Sequence, residues 1–122
     1  MFELKIITTF AAAHQLKMVA KKCENLHGHN WKIEVCVVGN DLTDAGIVMD
    51  FGQLKNMVSE ITSKLDHKYL NDLPFFHENN SSSENIAKYI ANELSAQLAS
   101  SHIKVSKVTA WESDDAAATY IC

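Results

Sequence analysis

The sequence predicts an α+β protein: a four-stranded, mostly antiparallel sheet with two helices on one face. Three observations carry that expectation. Apolar and polar residues alternate near both ends of the chain, two stretches between them carry apolar residues at helical spacing, and a candidate N-cap precedes each of those stretches. The resulting order, ββααββ, keeps the helices in one block between pairs of strands, which is the α+β pattern. A length of 122 residues suits one domain, residues 1–122, with one small core. Hydrophobic residues at 47% and charged residues at 21% are globular proportions.

The first strand spans residues 3–14, where period-2 alternation puts Leu4, Ile6, Thr8, Phe10, Ala12 and His14 on one face. Residues 15–26 form a polar loop with Lys17, Lys21, Lys22 and Cys23. A second strand covers about 29–38, with Trp31, Ile33, Val35 and Val37 on one face. Asp50 and Gln53 form a capping-box pair, after which Phe51, Leu54, Val58, Ile61 and Leu65 repeat at helical spacing. A long loop through Asp66-His67, Pro74 and the Asn79–Ser83 run follows. Ser81 and Glu84 are the second capping-box candidate, and Ile86, Tyr89, Ile90, Leu94 and Leu98 make the stripe of the second helix. Final strands fit residues 103–112 and 116–121.

A net charge of −4 argues against a nucleic-acid binder, which needs a basic face. The basic residues are all Lys, so any phosphate would be met by ammonium and backbone N–H groups instead of Arg forks. No apolar run approaches the roughly 18–20 residues of a membrane span. The N-terminus has no signal-peptide layout, and Cys23, Cys36 and Cys122 do not form a disulfide pattern, so a cytoplasmic location is expected.

His27-Gly28-His29 is a His-x-His pair at the start of the second strand, and residues i and i+2 of a strand point the same way. His14 ends the apolar face of the first strand. If the strands are neighbours, the three imidazoles meet at one corner of the covered face, leaving a fourth position open as in catalytic zinc sites. Read singly, His14 is more often a hydrogen-bonded, partly buried histidine. Imidazole donors favour zinc and also serve Fe, Ni or Co.

Cys23 stands beside Lys21 and Lys22, whose charge favours the thiolate and so a base or nucleophile. The spacing equally admits a spectator thiol, or a fourth ligand that would close the metal site as a structural one. In Asp66-His67 a turn would let the carboxylate orient the imidazole; capping of the preceding helix by His67 is the competing reading. Glu112, near the end of a hydrophobic strand, is either at a solvated strand end or placed to accept paired N–H groups from a heterocycle.

These residues fall in motifs that resemble the 6-pyruvoyl-tetrahydropterin synthase family along essentially the whole chain. The motifs are Phe10-Ala11-Ala12-Ala13-His14, Cys23-x-x-x-His27-Gly28-His29-Asn30, Val48-Met49-Asp50-Phe51-Gly52, Leu65-Asp66-His67-Lys68-Tyr69-Leu70-Asn71, Ser82-Ser83-Glu84-Asn85 and Trp111-Glu112-Ser113. The resemblance implies one zinc ion per subunit at His14, His27 and His29, and Cys23 as proton acceptor with Asp66 and His67 as relay partners. It also implies that Glu112 acts in catalysis and anchors the pterin ring, with Ser82 and Ser83 beside the substrate. The family's tunnelling fold implies a homo-oligomeric barrel, a trimer or a dimer of trimers; the charge and the lack of a long apolar run point to no nucleic-acid or membrane partner. The short Cys23-to-His27 spacing, the Val-Met-Asp-Phe-Gly run and the presence of Cys23 are most similar to the branch that forms 6-carboxy-tetrahydropterin for queuosine synthesis. The pyruvoyl-forming branch and a non-catalytic zinc module are the alternatives. The chain departs from the family at Gln15, where Arg is common, at Asn80-Ser81-Ser82, where Asn-Pro-Thr is frequent, and at Ser113, where Thr is frequent.

Overall fold

Alternation at the N-terminus produces two long strands, β1 (Phe2–His14) and β2 (His27–Gly39), in a computed structural model that describes residues 1–17 and 25–122. They pair antiparallel from Phe2↔Gly39 to His14↔His27. On the covered face Ile6, Phe10, Ala12 and His14 of β1 lie against Trp31, Ile33, Val35 and Val37 of β2, and all eight are buried. The helices α1 (Phe51–Ser63), α2 (Phe75–Glu78) and α3 (Ser83–Gln97) follow, then β4 (Lys104–Ser113) and β5 (Ala116–Ile121). A short strand β3 (Lys68–Tyr69) lies between α1 and α2.

Among the described residues the sheet therefore has five strands in the order β3-β1-β2-β4-β5, not the four expected. The extra strand is β3, which pairs parallel with Ala12 and Ala13 of β1. Two residues are too few to show a periodicity, and the same holds for the single turn of α2. Asp50 caps α1 as expected, its carboxylate accepting the Gln53 N–H at 3.0 Å. The cap of α3 is one residue later than expected: Ser82 accepts the Asn85 N–H at 3.2 Å. Ser81 is drawn inward, fully buried, with its hydroxyl donating to Asn71 Oδ1 at 2.7 Å. Leu54, Val58 and Ile61 of α1 and Ile86, Ile90 and Leu94 of α3 complete one apolar core with the covered sheet face. Phe75, Phe76 and Tyr89 pack edge-on and tilted against one another at its edge.

Two features of the sheet and its margin place the site. The β4–β5 register shifts between Trp111 and Ser113, so Glu112 is the extra residue of a bulge. A bulge bends the strand and re-aims the inserted side chain. The other feature is the left-handed conformation of His67 (φ 59°), in the turn that leads from α1 to β3. His is among the residues enriched there, and the conformation costs roughly 1–2 kcal/mol that surrounding bonds must offset. The His67 N–H donates to Ala11 O at 2.6 Å and holds the turn against the edge of β1.

Candidate metal centre

The register sets His14 directly across from His27, and His29 across from Ala12, so three imidazoles converge at the end of the β1–β2 ladder. The bulged Glu112 completes the corner. Its Oε1 lies 3.2 Å from His14 Nε2, 3.1 Å from His29 Nε2 and 3.8 Å from His27 Nε2. The donor atoms of these four residues lie within 4.8 Å of one another. His14 is 1% exposed, while Glu112 is 34% exposed, so the corner is closed on its protein side and open at the carboxylate. Trp31 packs its ring edge-on against His14 and His29, with centroids 5.1 and 5.3 Å away, and fixes their planes.

The outer nitrogens of two imidazoles determine their tautomers. His14 Nδ1 donates to Ser81 O at 2.5 Å, and His27 Nδ1 donates to Asn25 O at 2.8 Å. A carbonyl oxygen can only accept, so both rings carry their proton on Nδ1 when neutral and turn an Nε2 lone pair inward. Those two Nε2 atoms face each other at 3.0 Å. Two opposed lone pairs at that distance repel unless a cation sits beside them. His29 Nε2 is buried, and among the described residues its polar neighbour is Glu112 Oε1 at 3.1 Å. Burial is the main cause holding the His29 pKa below its ordinary value, partly offset by the Glu112 carboxylate. A neutral imidazole is the form that binds metal.

The donor chemistry fits zinc. Tetrahedral zinc with bonds of about 2.1 Å separates its ligands by about 3.4 Å; here the His14–His27, His14–Glu112, His27–Glu112 and His29–Glu112 pairs lie 3.0 to 3.8 Å apart.

Asp66 and His67 sit apart from this corner, at the edge of β1. Asp66 Oδ1 accepts the Ala11 N–H at 2.9 Å and lies 3.0 Å from His67 Nδ1. The Ala11 bond is the first cause of an Asp66 pKa below the ordinary carboxylate range, with His67 adding to it. Lys64, not His67, is the C-cap of α1. The exposed His67 ring opens on a cleft of about 510 Å³ that Ala11, Ala13, Gly28, Asn30 and Tyr69 line together with His29. Ser82 and Ser83 lie at the start of α3, where the Ser82 hydroxyl serves as the N-cap. Cys23, with Lys21 and Lys22, lies outside the described residues.

Sequence reasoning missed the convergence of Glu112 with the histidines, although the parity of Val108, Ala110 and Glu112 along β4 gave a signal for it. It also missed Ser81, Asn25 and Asn71. No sequence signal marks a backbone carbonyl that orients an imidazole.

Fold and donor set together define an α+β protein that can hold a cation at one corner of its sheet. The chain belongs to the 6-pyruvoyl tetrahydropterin synthase family, whose profile matches residues 3–121. It is 39% identical over 113 residues to a protein of Archaeoglobus fulgidus named provisionally as a 6-carboxy-5,6,7,8-tetrahydropterin synthase, covering 90% of this chain and 87% of that one. It is 35% identical over 107 residues to the dihydroneopterin monophosphate aldolase of Pyrococcus furiosus, covering 88% and 86%. The solved structure of Caenorhabditis elegans 6-pyruvoyl tetrahydropterin synthase superposes with a TM-score of 0.86 at 28% identity, covering 99% of this chain and 95% of that one.

Proposed function

We propose that this chain is a zinc-dependent 6-carboxy-5,6,7,8-tetrahydropterin synthase. In this reading it converts 7,8-dihydroneopterin triphosphate and water to 6-carboxy-tetrahydropterin, acetaldehyde and triphosphate, in the cytoplasm, for queuosine synthesis. The observation that carries the proposal is the corner of inward lone pairs, His14 Nε2 against His27 Nε2 at 3.0 Å with the buried His29 Nε2 beside them. His14, His27 and His29 would hold the ion. When bound there, zinc supplies Lewis acidity to the side-chain hydroxyls of the substrate.

The chain's own residues do the rest. Glu112 is half-buried at the open side of the corner, where its carboxylate can accept adjacent N–H groups of an aminopyrimidine ring. Its single carboxylate is within reach of both the metal donors and an incoming ring. Cys23, flanked by Lys21 and Lys22, takes the side-chain proton as thiolate. His67, oriented by Asp66, returns a proton from the cleft that also reaches His29. Ser82 and Ser83, at the start of α3, would contact the substrate.

The proposed assembly is a trimer or a dimer of trimers. Within the described chain, β5 has no partner on its outer side and β3 covers β1 only at Ala12 and Ala13, so both margins of the sheet are available for pairing.

Two relatives favour neighbouring readings, a pyruvoyl-forming synthase and a dihydroneopterin monophosphate aldolase. One assay separates them. The zinc-loaded protein is incubated with 7,8-dihydroneopterin triphosphate, and separately with the monophosphate, and products are quantified. Acetaldehyde with 6-carboxy-tetrahydropterin is the expected result. Triphosphate release without acetaldehyde moves the chain to the pyruvoyl-forming branch, and side-chain cleavage of the monophosphate alone moves it to the aldolases. Consumption of neither leaves the non-catalytic zinc module.

A further inference from the structure

Past His14 the chain no longer pairs as a strand, yet its edge stays bonded. Odd-numbered residues of β1 direct their peptide groups toward the β3 side: Ala11 bonds Asp66 Oδ1 through its N–H and the His67 N–H through its oxygen. Beyond β3, two asparagine side chains take the place of a strand. Asn71 Oδ1 accepts the Gln15 N–H at 3.0 Å while Asn71 Nδ2 donates to Gln15 O at 2.7 Å. Two residues further on, Asn80 repeats the pattern on Lys17, at 2.9 and 2.6 Å. A carboxamide offers the same C=O and N–H pair as a peptide unit, so each side chain forms a complete rung. Positions 15 and 17 keep the two-residue period of the strand.

The rungs are tied to the metal corner. Asn71 Oδ1 also accepts the Ser81 hydroxyl at 2.7 Å, and the Ser81 carbonyl takes the His14 Nδ1–H. Asn80 O is held in turn by Asn85 Nδ2 at 2.9 Å, from the first turn of α3. His14 is therefore braced along the chain by the rung on Gln15 and across it by the loop that Asn71 and Asn80 pin down.

We propose that Asn71 and Asn80 are positioning residues for the metal centre: their carboxamides extend the edge of β1 through residues 15 and 17 and, through Ser81, fix the His14 imidazole. The proposal rests on the reading of His14 as a metal ligand. Groups that orient a ligand imidazole typically change metal affinity by about 10- to 100-fold when lost.

The test uses Asn71→Leu and Asn80→Leu, which keep the side-chain shape, add no charge and remove both arms of a rung. Zinc affinity is measured by chelator competition on the purified full chain, and the visible spectrum of the cobalt(II)-substituted protein reports ligand geometry. A loss of about 10- to 100-fold in affinity with a shifted cobalt spectrum and an unchanged far-UV circular dichroism spectrum is expected. Asn79→Leu is the control, because Asn79 bonds only Phe75 O among the described residues, and it should match the parent. Parental affinity and a parental cobalt spectrum in both rung variants overturn the proposal. If neither rung variant folds, Ser81→Ala removes the hydroxyl link alone and is read by the same two outcomes. His14→Ala separates the two levels. Weakened binding there with parental rung variants removes only the positioning role, and parental binding in His14→Ala overturns the metal reading and the positioning role together.

Discussion

His14 and His27 can turn lone pairs toward each other at 3.0 Å because two carbonyls hold their outer protons. Substituting His27 by Ala removes one of these donors without touching the core. The expected outcome is loss of stoichiometric zinc in elemental analysis with the fold retained; undiminished zinc would refute the ligand assignment. Cys23→Ala should behave oppositely, retaining zinc while kcat falls by about 10²- to 10⁴-fold, the usual contribution of a positioned proton acceptor. Turnover and metal content measured on the same sample decide it.

Asp66 gives a pH prediction. Its folded pKa lies below that of an unfolded carboxylate, chiefly because the Ala11 N–H bonds the charged form. A depressed carboxylate stabilises the fold above the unfolded pKa of about 4, and that contribution is lost as pH falls through the lower folded value. Asp66→Asn keeps an oxygen for Ala11 but no charge. The parent's advantage in Tm over this variant should be present at neutral pH and shrink below about pH 4; a difference that grows on acidification would contradict the assignment.

The histidine corner was legible at this scale because period-2 alternation fixes which side chains share a strand face. Glu112 beside the histidines was legible only in part: its parity with Val108 and Ala110 puts it on their face of β4, while the bulge that turns it into the corner is a property of the pairing of β4 with β5.

At the scale of elements, the two main helices announced themselves through apolar stripes and caps. Asp50 behaves as its position implied, accepting the Gln53 N–H at 3.0 Å. Asp50→Ala should destabilise the chain by about 1 kcal/mol in denaturant unfolding, the typical loss of an N-cap, with no change in zinc content because α1 carries no donor. The cap of α3 moved from Ser81 to Ser82 for a reason outside the helix: the Ser81 side chain is taken by Asn71 and its carbonyl by His14. Three serines in a row give local propensity no means of choosing among them, and the contact with His14, 67 residues away, makes the choice. β3 and α2 were not legible, being two and four residues long and stabilised by what they touch. That same stretch supplies Asn71 and Asn80, so the part of the site least visible in the sequence is the part built from short, context-dependent pieces.

At the scale of the whole molecule, both margins of the sheet bear on the proposed assembly, and β5 offers a clean way to test it. The Cys122 N–H bonds Ser106 O at 3.0 Å. Along a regular antiparallel ladder every second residue repeats that orientation, so Tyr120 and Ala118 bond inward to β4 while Ala117, Thr119 and Ile121 turn their peptide groups to the outer margin. Ile121 is 74% exposed and Ile7, on the open face of the sheet, 52% exposed, apolar surface that a closed barrel would cover. Thr119→Pro therefore removes an outward N–H and spares the internal ladder; within the chain it costs one exposed hydroxyl contact, to Thr109. If neighbouring subunits add to this margin, the variant should sediment as a smaller species than the parent at equal concentration while its far-UV circular dichroism stays parental. The parent should sediment as a trimer or a multiple of three. If parent and variant sediment alike as an assembly, pairing does not run through the β5 margin, and if the parent sediments as a monomer, the sheet is not closed by copies of itself.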